Sequence, residues 1–143
     1  MSGNVEHDRY LNPRGACPPQ GLYSHVARTT AGNLYFVAGQ LSVGADGSVV
    51  GTDDFDAQFH QVFHNLRAVL AGLGTSCDDI IKFTTYLVHS QSIAQFMTLR
   101  AQLFPQLFKG PLFPPNTLLI VNRLVKEEFL IEVEAVVQAP AGS

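Results

Sequence analysis

The sequence is short of charged residues, of basic clusters and of long apolar runs, and each shortage excludes a class of protein. Only 15% of its 143 residues are Asp, Glu, Lys or Arg, and the formal net charge is −3. We expect no nucleic-acid partner, because such binding neutralises phosphates with clustered basic residues and the nine Lys and Arg residues are spread thinly. No apolar run approaches the length that spans a bilayer, so we expect no membrane partner.

Cysteine is also scarce, since the chain has only Cys17 and Cys77. The two residues make neither a CxxC motif nor a disulfide framework, and this usage is typical of a reducing compartment. The polar start of the chain carries charges of both signs and does not look like a signal peptide. We therefore expect a cytoplasmic protein.

The chain is rich in apolar residues, at 46% of its length, which is enough for a sizeable core. Its length fits one domain, so we expect a single domain over residues 1–143. Within it, residues 1–20 hold three prolines and no periodic pattern, which predicts an irregular arm. The low charge indicates that another subunit covers part of the surface.

Hydrophobic periodicity predicts two helices among several strands. The first helix begins after Asp53 or Asp54, either of which can cap it. The second covers roughly Gln91–Leu103, and Pro105 ends or kinks it. The apolar stripe of the first helix consists of Phe55, Phe59, Val62, Phe63, Leu66, Val69, Leu70 and Leu73. The predicted strands are Leu22–Arg28 and Leu34–Ala38 as an opening hairpin that turns near Ala31, then Ser48–Val50, Ile80–Val88, Thr117–Arg123 and Phe129–Val137. Two helices cover only one face of such a sheet, and we favour a second subunit on the other face.

The last predicted strand carries two acidic residues, Glu132 and Glu134, on one face. One interpretation is that both carboxylates lie on a solvated face. The other is that burial raises the pKa of a carboxyl toward neutrality, which makes it an acid or base. A metal site is not expected, because His60 and His64 have the spacing of two ligands but no third ligand is evident.

Several segments resemble the RidA/YjgF family of reactive-intermediate deaminases. They are Gly21–His25, Phe36–Gln40, Asn65–Gly72, Asp79–Tyr86 and Ile131–Ala135, and the likeness covers about residues 10–138. The resemblance implies an α+β, chorismate-mutase-like fold, with two helices packed on one face of a β-sheet and assembly as a homotrimer. It also implies small-molecule sites in the clefts between subunits. Active members hydrolyse imines and enamines to keto acids and ammonia without a metal or cofactor.

The resemblance also assigns site residues. Glu132 matches the acidic position thought to act on the attacking water, and it is the candidate catalytic residue. Tyr23 matches a tyrosine that lines the cleft, Gly39 a position where the backbone approaches the ligand, and Gln40 lies beside it. For Glu132 and Tyr23 a purely structural role is the competing interpretation.

One position departs from the family pattern. In active members an arginine follows the Phe-Pro-x turn and pairs with the carboxylate of the substrate, but here Asn116 follows Phe113–Pro115. An amide lacks both the charge and the bidentate fork of a guanidinium. Arg100, on the second helix, stands where many members have an asparagine, and we hypothesise that it supplies the missing cation. The alternative is that Arg100 is a solvated helix residue.

Two functions remain open at this stage. The first is binding of small carboxylate or imine and enamine metabolites between subunits, with hydrolysis of a C=N bond. The second is a non-catalytic member of the same fold that binds a metabolite or another protein.

Overall fold

The computed structural model describes residues 9–30 and 32–142, and its centre is a mixed sheet flanked by two helices. In chain order, the strands and helices are β1 (Tyr10–Leu11), β2 (Val26–Ala27), β3 (Leu34–Gln40), α1 (Phe55–Gly72), β4 (Ile80–Leu87), α2 (Ser92–Leu107), β5 (Asn116–Ile120) and β6 (Ile131–Gln138). The sheet has the strand order β3-β6-β4-β5, in which β6 is antiparallel to both neighbours and β5 is parallel to β4.

Both helices pack on the same face of the sheet, as the sequence predicts. The ring of Phe83 on β4 lies 6.1 Å from that of Phe63 on α1 and 5.7 Å from that of Phe104 on α2. Such edge-to-face and tilted pairs stabilise a core beyond the area that they bury. Along β6 the residues that face these helices are buried, namely Ile131, Val133, Ala135 and Val137. The predicted α+β fold with two helices on one face is therefore confirmed.

The start of α1 is fixed by Asp54, whose side chain accepts a hydrogen bond of 3.1 Å from the backbone N–H of Ala57. The cap satisfies one of the amide donors that a helix start leaves free. The predicted apolar stripe of this helix is confirmed, because its central residues are buried while Val69 and Leu73 are half-buried. Asp54, rather than Asp53, is therefore the capping residue.

The predicted opening hairpin is wrong. Strand β3 forms, but its antiparallel partner is β6, and Leu22–Arg28 contributes only the short strand β2. That strand pairs with β1, so the predicted arm of residues 1–20 contains two residues of strand. A local turn signal indicates where a strand ends, but it does not decide which distant strand becomes the partner of the next one. Ala31, where the turn was placed, and residues 1–8 lie outside the described residues.

The second helix extends beyond its predicted end, because Pro105 lies inside α2 without ending it. A proline in the last turn removes only one helical hydrogen bond, and the neighbouring Phe104 and Phe108 are both buried in the core. The aromatic packing outweighs the lost bond. Two strand ends also differ from the prediction, since β5 ends at Ile120 and β6 begins at Ile131. The segment Ser48–Val50 forms only an isolated bridge between Val49 and Val43.

The face of the sheet away from the helices carries both polar and large apolar side chains, and we call it the open face. Phe36 on β3 is 77% exposed there, and Leu119 on β5 is 42% exposed. Such large exposed apolar side chains on one face are typical of an interaction surface. Within the described part of the chain, no helix is both long and apolar enough to cross a membrane.

Candidate functional site

Two separate clusters bring together the residues that the sequence singled out. The first surrounds a cavity of about 260 Å³, which we call the acidic cavity. Its lining consists of Gly39, Tyr86, Val121, Arg123, Leu124, Glu132 and Glu134. Strands β3, β4 and β6 position most of these residues on the open face, because Tyr86 is the register partner of Glu132 and alternate residues of β6 point the same way.

Glu132 lies against the backbone of Gly39. A Cβ atom at residue 39 would overlap the Glu132 carboxylate, so only glycine allows this approach. The side chain of Glu132 is half-buried, and this desolvation raises the pKa of its carboxyl, with the negative charge of Glu134 acting in the same direction. Of the two interpretations of the acidic strand, the geometry therefore favours a carboxyl that retains its proton at higher pH than an ordinary glutamate.

Glu134 has a different environment, because the hydroxyl of Tyr86 donates a hydrogen bond to its carboxylate. This bond is the main reason that the pKa of Tyr86 is raised, so the phenol proton is retained. The two carboxyl groups of β6 therefore differ: one lies against a glycine backbone and the other is held by a phenol.

Arg123 also lines the acidic cavity, although no pattern in the sequence marks it as a site residue. Its guanidinium forms an ion pair of 3.1 Å with Glu127 and also donates to the carbonyl oxygens of Leu124 and Val125. The sequence placed Arg123 at the end of a strand, whereas it lies in the loop after β5. No local motif could have revealed it, because only the loop that joins β5 to β6 brings it to the cavity.

The second cluster surrounds Arg100 on α2, and we call it the arginine cluster. Arg100 is only 3% exposed, so the interpretation of it as a solvated helix residue is wrong. Its guanidinium donates to the thioether sulfur of Met97 at 3.0 Å and lies 5.2 and 6.0 Å from the rings of Phe96 and Tyr23. Gly21 completes the cluster, because a Cβ atom there would lie 2.5 Å from a guanidinium nitrogen.

Arg100 has no carboxylate partner within the described part of the chain. Among residues 9–30 and 32–142, its guanidinium contacts a sulfur atom and two aromatic rings, and no oxygen accepts a hydrogen bond from it. Burial lowers the pKa of Arg100, and the nearby Tyr23 acts in the opposite direction. A buried cation without a counter-charge is costly, so the cluster is suited to receive an anion.

Asn116 and Gln40 join neither cluster through a hydrogen bond. The side-chain oxygen of Asn116 accepts a bond of 2.8 Å from the buried hydroxyl of Thr85, on the face of the sheet that packs on the helices. Glu132 points to the open face, so Asn116 and Glu132 lie on opposite sides of the sheet. Gln40 donates to the carbonyl of Ala38, at 3.0 Å.

Two larger cavities, of about 440 and 370 Å³, lie over the helices and share His64 and Arg67. Those side chains and His60 are exposed on α1. In the part of the chain that the structure describes, no three His, Cys, Asp or Glu side chains are grouped as they would be to hold a metal ion. The acidic cavity and the arginine cluster therefore remain the candidate site, although the acidic cavity has a smaller volume.

The family model and the related proteins that match this chain all point to the same family. A family model described as "Endoribonuclease L-PSP" matches residues 14–139. A RutC family protein of Pyrococcus horikoshii is 34% identical over 118 residues, which are 82% of this chain and 87% of that protein. The 3-aminoacrylate deaminase RutC of Acinetobacter baylyi is 27% identical over 124 residues, which are 87% of this chain and 92% of that protein.

A solved structure gives the same result. The Rid family protein YyfB of Yersinia pestis, a protein of unknown function, superposes with a TM-score of 0.81 at 32% identity. The alignment covers 91% of this chain and 97% of that chain. The predicted family resemblance is therefore confirmed over nearly the whole sequence.

We predict that Glu132→Gln changes how the stability of the fold depends on pH. The folded-state pKa of Glu132 is raised, so its favourable contribution is complete below the ordinary glutamate pKa and is lost as the pH rises through the raised value. A glutamine does not titrate, so the variant does not lose this contribution. Its unfolding free energy therefore falls less than that of the wild type as the pH rises from the ordinary glutamate pKa through the raised value. Urea unfolding at a series of pH values measures the difference.

The matched control is Glu128→Gln, which removes an exposed carboxylate from the loop before β6. It should leave the wild-type pH profile unchanged. Parallel profiles for wild type and Glu132→Gln would show that folding does not perturb the Glu132 carboxyl.

Proposed function

Because this chain belongs to the endoribonuclease L-PSP family, also called the YjgF/RidA family, we propose that it hydrolyses imines or enamines of small carboxylates in clefts between its subunits. The products are a keto compound and ammonia. The observation that carries this proposal is the Glu132 carboxyl, which lies half-buried against the backbone of Gly39 with a raised pKa. Hydrolysis of a C=N bond requires a group that donates and takes up protons, and a carboxyl with a raised pKa is better suited to donate a proton than an ordinary glutamate.

The proposed reaction uses one carboxyl group twice. The oxygen of a water molecule bonds to the imine carbon while the nitrogen takes the proton of Glu132, and the carboxylate then removes a proton from the added oxygen. The nitrogen of the resulting carbinolamine then takes the proton of Glu132 as the C–N bond breaks and ammonia leaves. The carboxylate removes the proton of the remaining hydroxyl, which becomes the carbonyl. Glu132 thus acts as acid and then as base in each half of the reaction, and it ends protonated, as it began.

A second copy of the chain is part of the proposal. Within one protomer, Glu132 faces the open side of the sheet, whereas Asn116 and the helix that carries Arg100 lie on the other side. A small ligand cannot reach both sides of one sheet, so a cleft between copies is the arrangement that unites them. The exposed apolar side chain of Phe36 gives the open face a surface for such a contact. The assembly that the family resemblance implies is a homotrimer.

Arg100 is proposed to hold the carboxylate of the ligand. The family's usual arginine is replaced by Asn116, whose side-chain oxygen is already bonded to Thr85. Arg100 is a buried guanidinium that lacks an oxygen acceptor within the described chain, and a ligand carboxylate supplies one. Tyr23 lies over the same guanidinium and forms a wall of the proposed pocket.

Nuclease activity is not proposed, although the description of the family names an endoribonuclease. The acidic cavity presents two carboxyl groups, and the chain has a net charge of −3. Both features oppose the binding of a phosphate backbone. The second candidate function is therefore the non-catalytic binding of a small carboxylate, which the loss of the usual arginine favours.

We predict that the purified protein releases ammonia from freshly generated 2-iminopropanoate and that Glu132→Gln lowers this rate by roughly 100-fold, which is a typical contribution of an acid–base residue. A coupled ammonia assay with a protein-free blank measures the rate. Glu128→Gln is the matched control and should retain wild-type activity. Equal ammonia release with and without the protein across several aliphatic and aromatic imines would reject the hydrolase and leave the binding function.

We predict that Arg100→Gln weakens binding of a keto-acid product such as pyruvate by at least about tenfold, since a charge-assisted pair in a desolvated site contributes roughly 2–5 kcal/mol. Titration calorimetry measures the dissociation constant. Arg100→Lys should recover only part of the loss, because an ammonium lacks the fork of the guanidinium. Arg67→Gln, which removes an exposed arginine of α1, is the control. A ligand complex in which the carboxylate lies away from Arg100 would reject this role.

We predict that Phe36→Glu dissociates the assembly, because it places a charge at the centre of a contact that would otherwise be apolar. Sedimentation equilibrium measures the mass. Val125→Glu is the control, since Val125 is 73% exposed in the loop before β6 and off the sheet. A wild-type chain that sediments as a stable monomer would contradict the cleft between subunits.

A further inference from the structure

Tyr86 occupies a position that the proposed chemistry does not yet use. It is the register partner of Glu132 across the β4–β6 ladder, while Thr84 is the partner of Glu134. The backbone of Tyr86 therefore lies opposite Glu132. Its side chain extends diagonally across the two strands, and the hydroxyl donates a hydrogen bond to Glu134. Diagonal contacts of this kind are within reach of a long aromatic side chain.

This hydrogen bond restrains the Glu134 side chain. The carboxylate of Glu134 is therefore held at a fixed place on the open face. Glu132 receives no hydrogen bond from a described residue and lies instead against Gly39, where its charged form is partly desolvated.

The two carboxyl groups are close enough to influence each other. They are two residues apart on one face of β6, which places their Cα atoms roughly 7 Å from each other. Burial and the negative charge of Glu134 both oppose ionisation of the Glu132 carboxyl. A fixed Glu134 carboxylate therefore favours the protonated form of Glu132.

The other charged side chains on the open face are directed away from Glu132. Lys82 on β4 shares the open face but stands opposite Val136, beyond Glu134 from Glu132. The guanidinium of Arg123 is turned toward Glu127 and two loop carbonyls. From β3, the neighbouring residue that lines the cavity is Gly39, which carries no charge.

We propose that Tyr86 is a positioning residue of the candidate site: by fixing the Glu134 carboxylate beside Glu132, it holds a charge where it favours the protonated form of Glu132. This inference rests on the proposed imine hydrolysis, in which Glu132 is the proton donor. Tyr86 itself does not touch the substrate in this scheme. The competing explanation is that the bond between Tyr86 and Glu134 is an ordinary cross-strand contact that only stabilises the sheet.

Two variants separate the effect of the hydrogen bond between Tyr86 and Glu134 from the effect of the Glu134 charge. Tyr86→Phe removes the hydroxyl and leaves the Glu134 carboxylate, whereas Glu134→Gln keeps an oxygen that can accept the phenol and removes the charge. Tyr35→Phe is the matched control. This substitution also removes a tyrosine hydroxyl, but from β3 at the register position of Val137, on the helix-packed face. The full-length protein carries ¹³C-labelled glutamate, and NMR follows the titration of the Glu132 carboxyl without any ligand.

We expect the Glu132 titration midpoint to move to lower pH in both test variants, and further in Glu134→Gln than in Tyr86→Phe. Tyr35→Phe should titrate as the wild type does. In the imine assay, Tyr86→Phe should lower kcat by about tenfold with little change in KM, which is less than the loss expected when the acid itself is removed. The acid–base limb of the pH–rate profile should move in the same direction as the NMR midpoint.

A Tyr86→Phe midpoint equal to that of Tyr35→Phe would overturn the positioning role, and so would a Glu134→Gln midpoint equal to that of the wild type. The titration is independent of catalysis. If the midpoints move but no imine is hydrolysed, the hydrolase proposal fails while the coupling of the two carboxyls stands. If imines are hydrolysed but the midpoints do not move, only the role of Tyr86 fails.

Discussion

The alternation of side chains along β6 is the constraint on which the rest of this structure depends. β6 lies between β3 and β4 in the sheet, so its odd-numbered residues from Ile131 to Val137 must fill the core beneath the helices. Its even-numbered residues then have to face the other way. The two glutamates are consequently placed on the open face together. A shift of register by one residue would bury both carboxylates and expose the core, so the position of the acidic cavity is as strongly specified as the core itself.

Helix α1 and strand β6 could be predicted from the sequence because their signals are local. The stripe that runs from Phe55 to Leu70 repeats with the helical period, and Asp54 supplies the cap at its start. The opening hairpin could not be predicted, because the partner of β3 lies about a hundred residues away in β6 and no local pattern selects it. Similarly, the effect of Pro105 depends on how deeply Phe104 and Phe108 are buried, which is a tertiary property.

The same distinction between local sequence signals and tertiary contacts applies to the residues of the candidate site. Glu132, Gly39, Tyr23 and Arg100 were identified because they stand at positions that the family motifs mark, and the structure brings Gly39 to Glu132 and Tyr23 to Arg100. Tyr86 ends the segment Asp79–Tyr86 that resembles the family, but the resemblance gives it no site role, and Arg123 stands in no such segment. They enter the acidic cavity through the register between β4 and β6 and through the path of the loop after β5. Residues that act through strand register are therefore the ones that a reading of single motifs misses.

The burial of Arg100 has an energetic consequence for the proposed function. At the sheet, the side-chain oxygen of Asn116 accepts a hydrogen bond from Thr85. On the helix, Arg100 is buried beside two aromatic rings and a thioether, which compensate a guanidinium less well than a carboxylate does. Under the proposed role of Arg100, a ligand carboxylate removes part of this cost. By linkage, binding of such a ligand then stabilises the folded chain, so that selection of a carboxylate and stabilisation of the protein arise from the same buried charge.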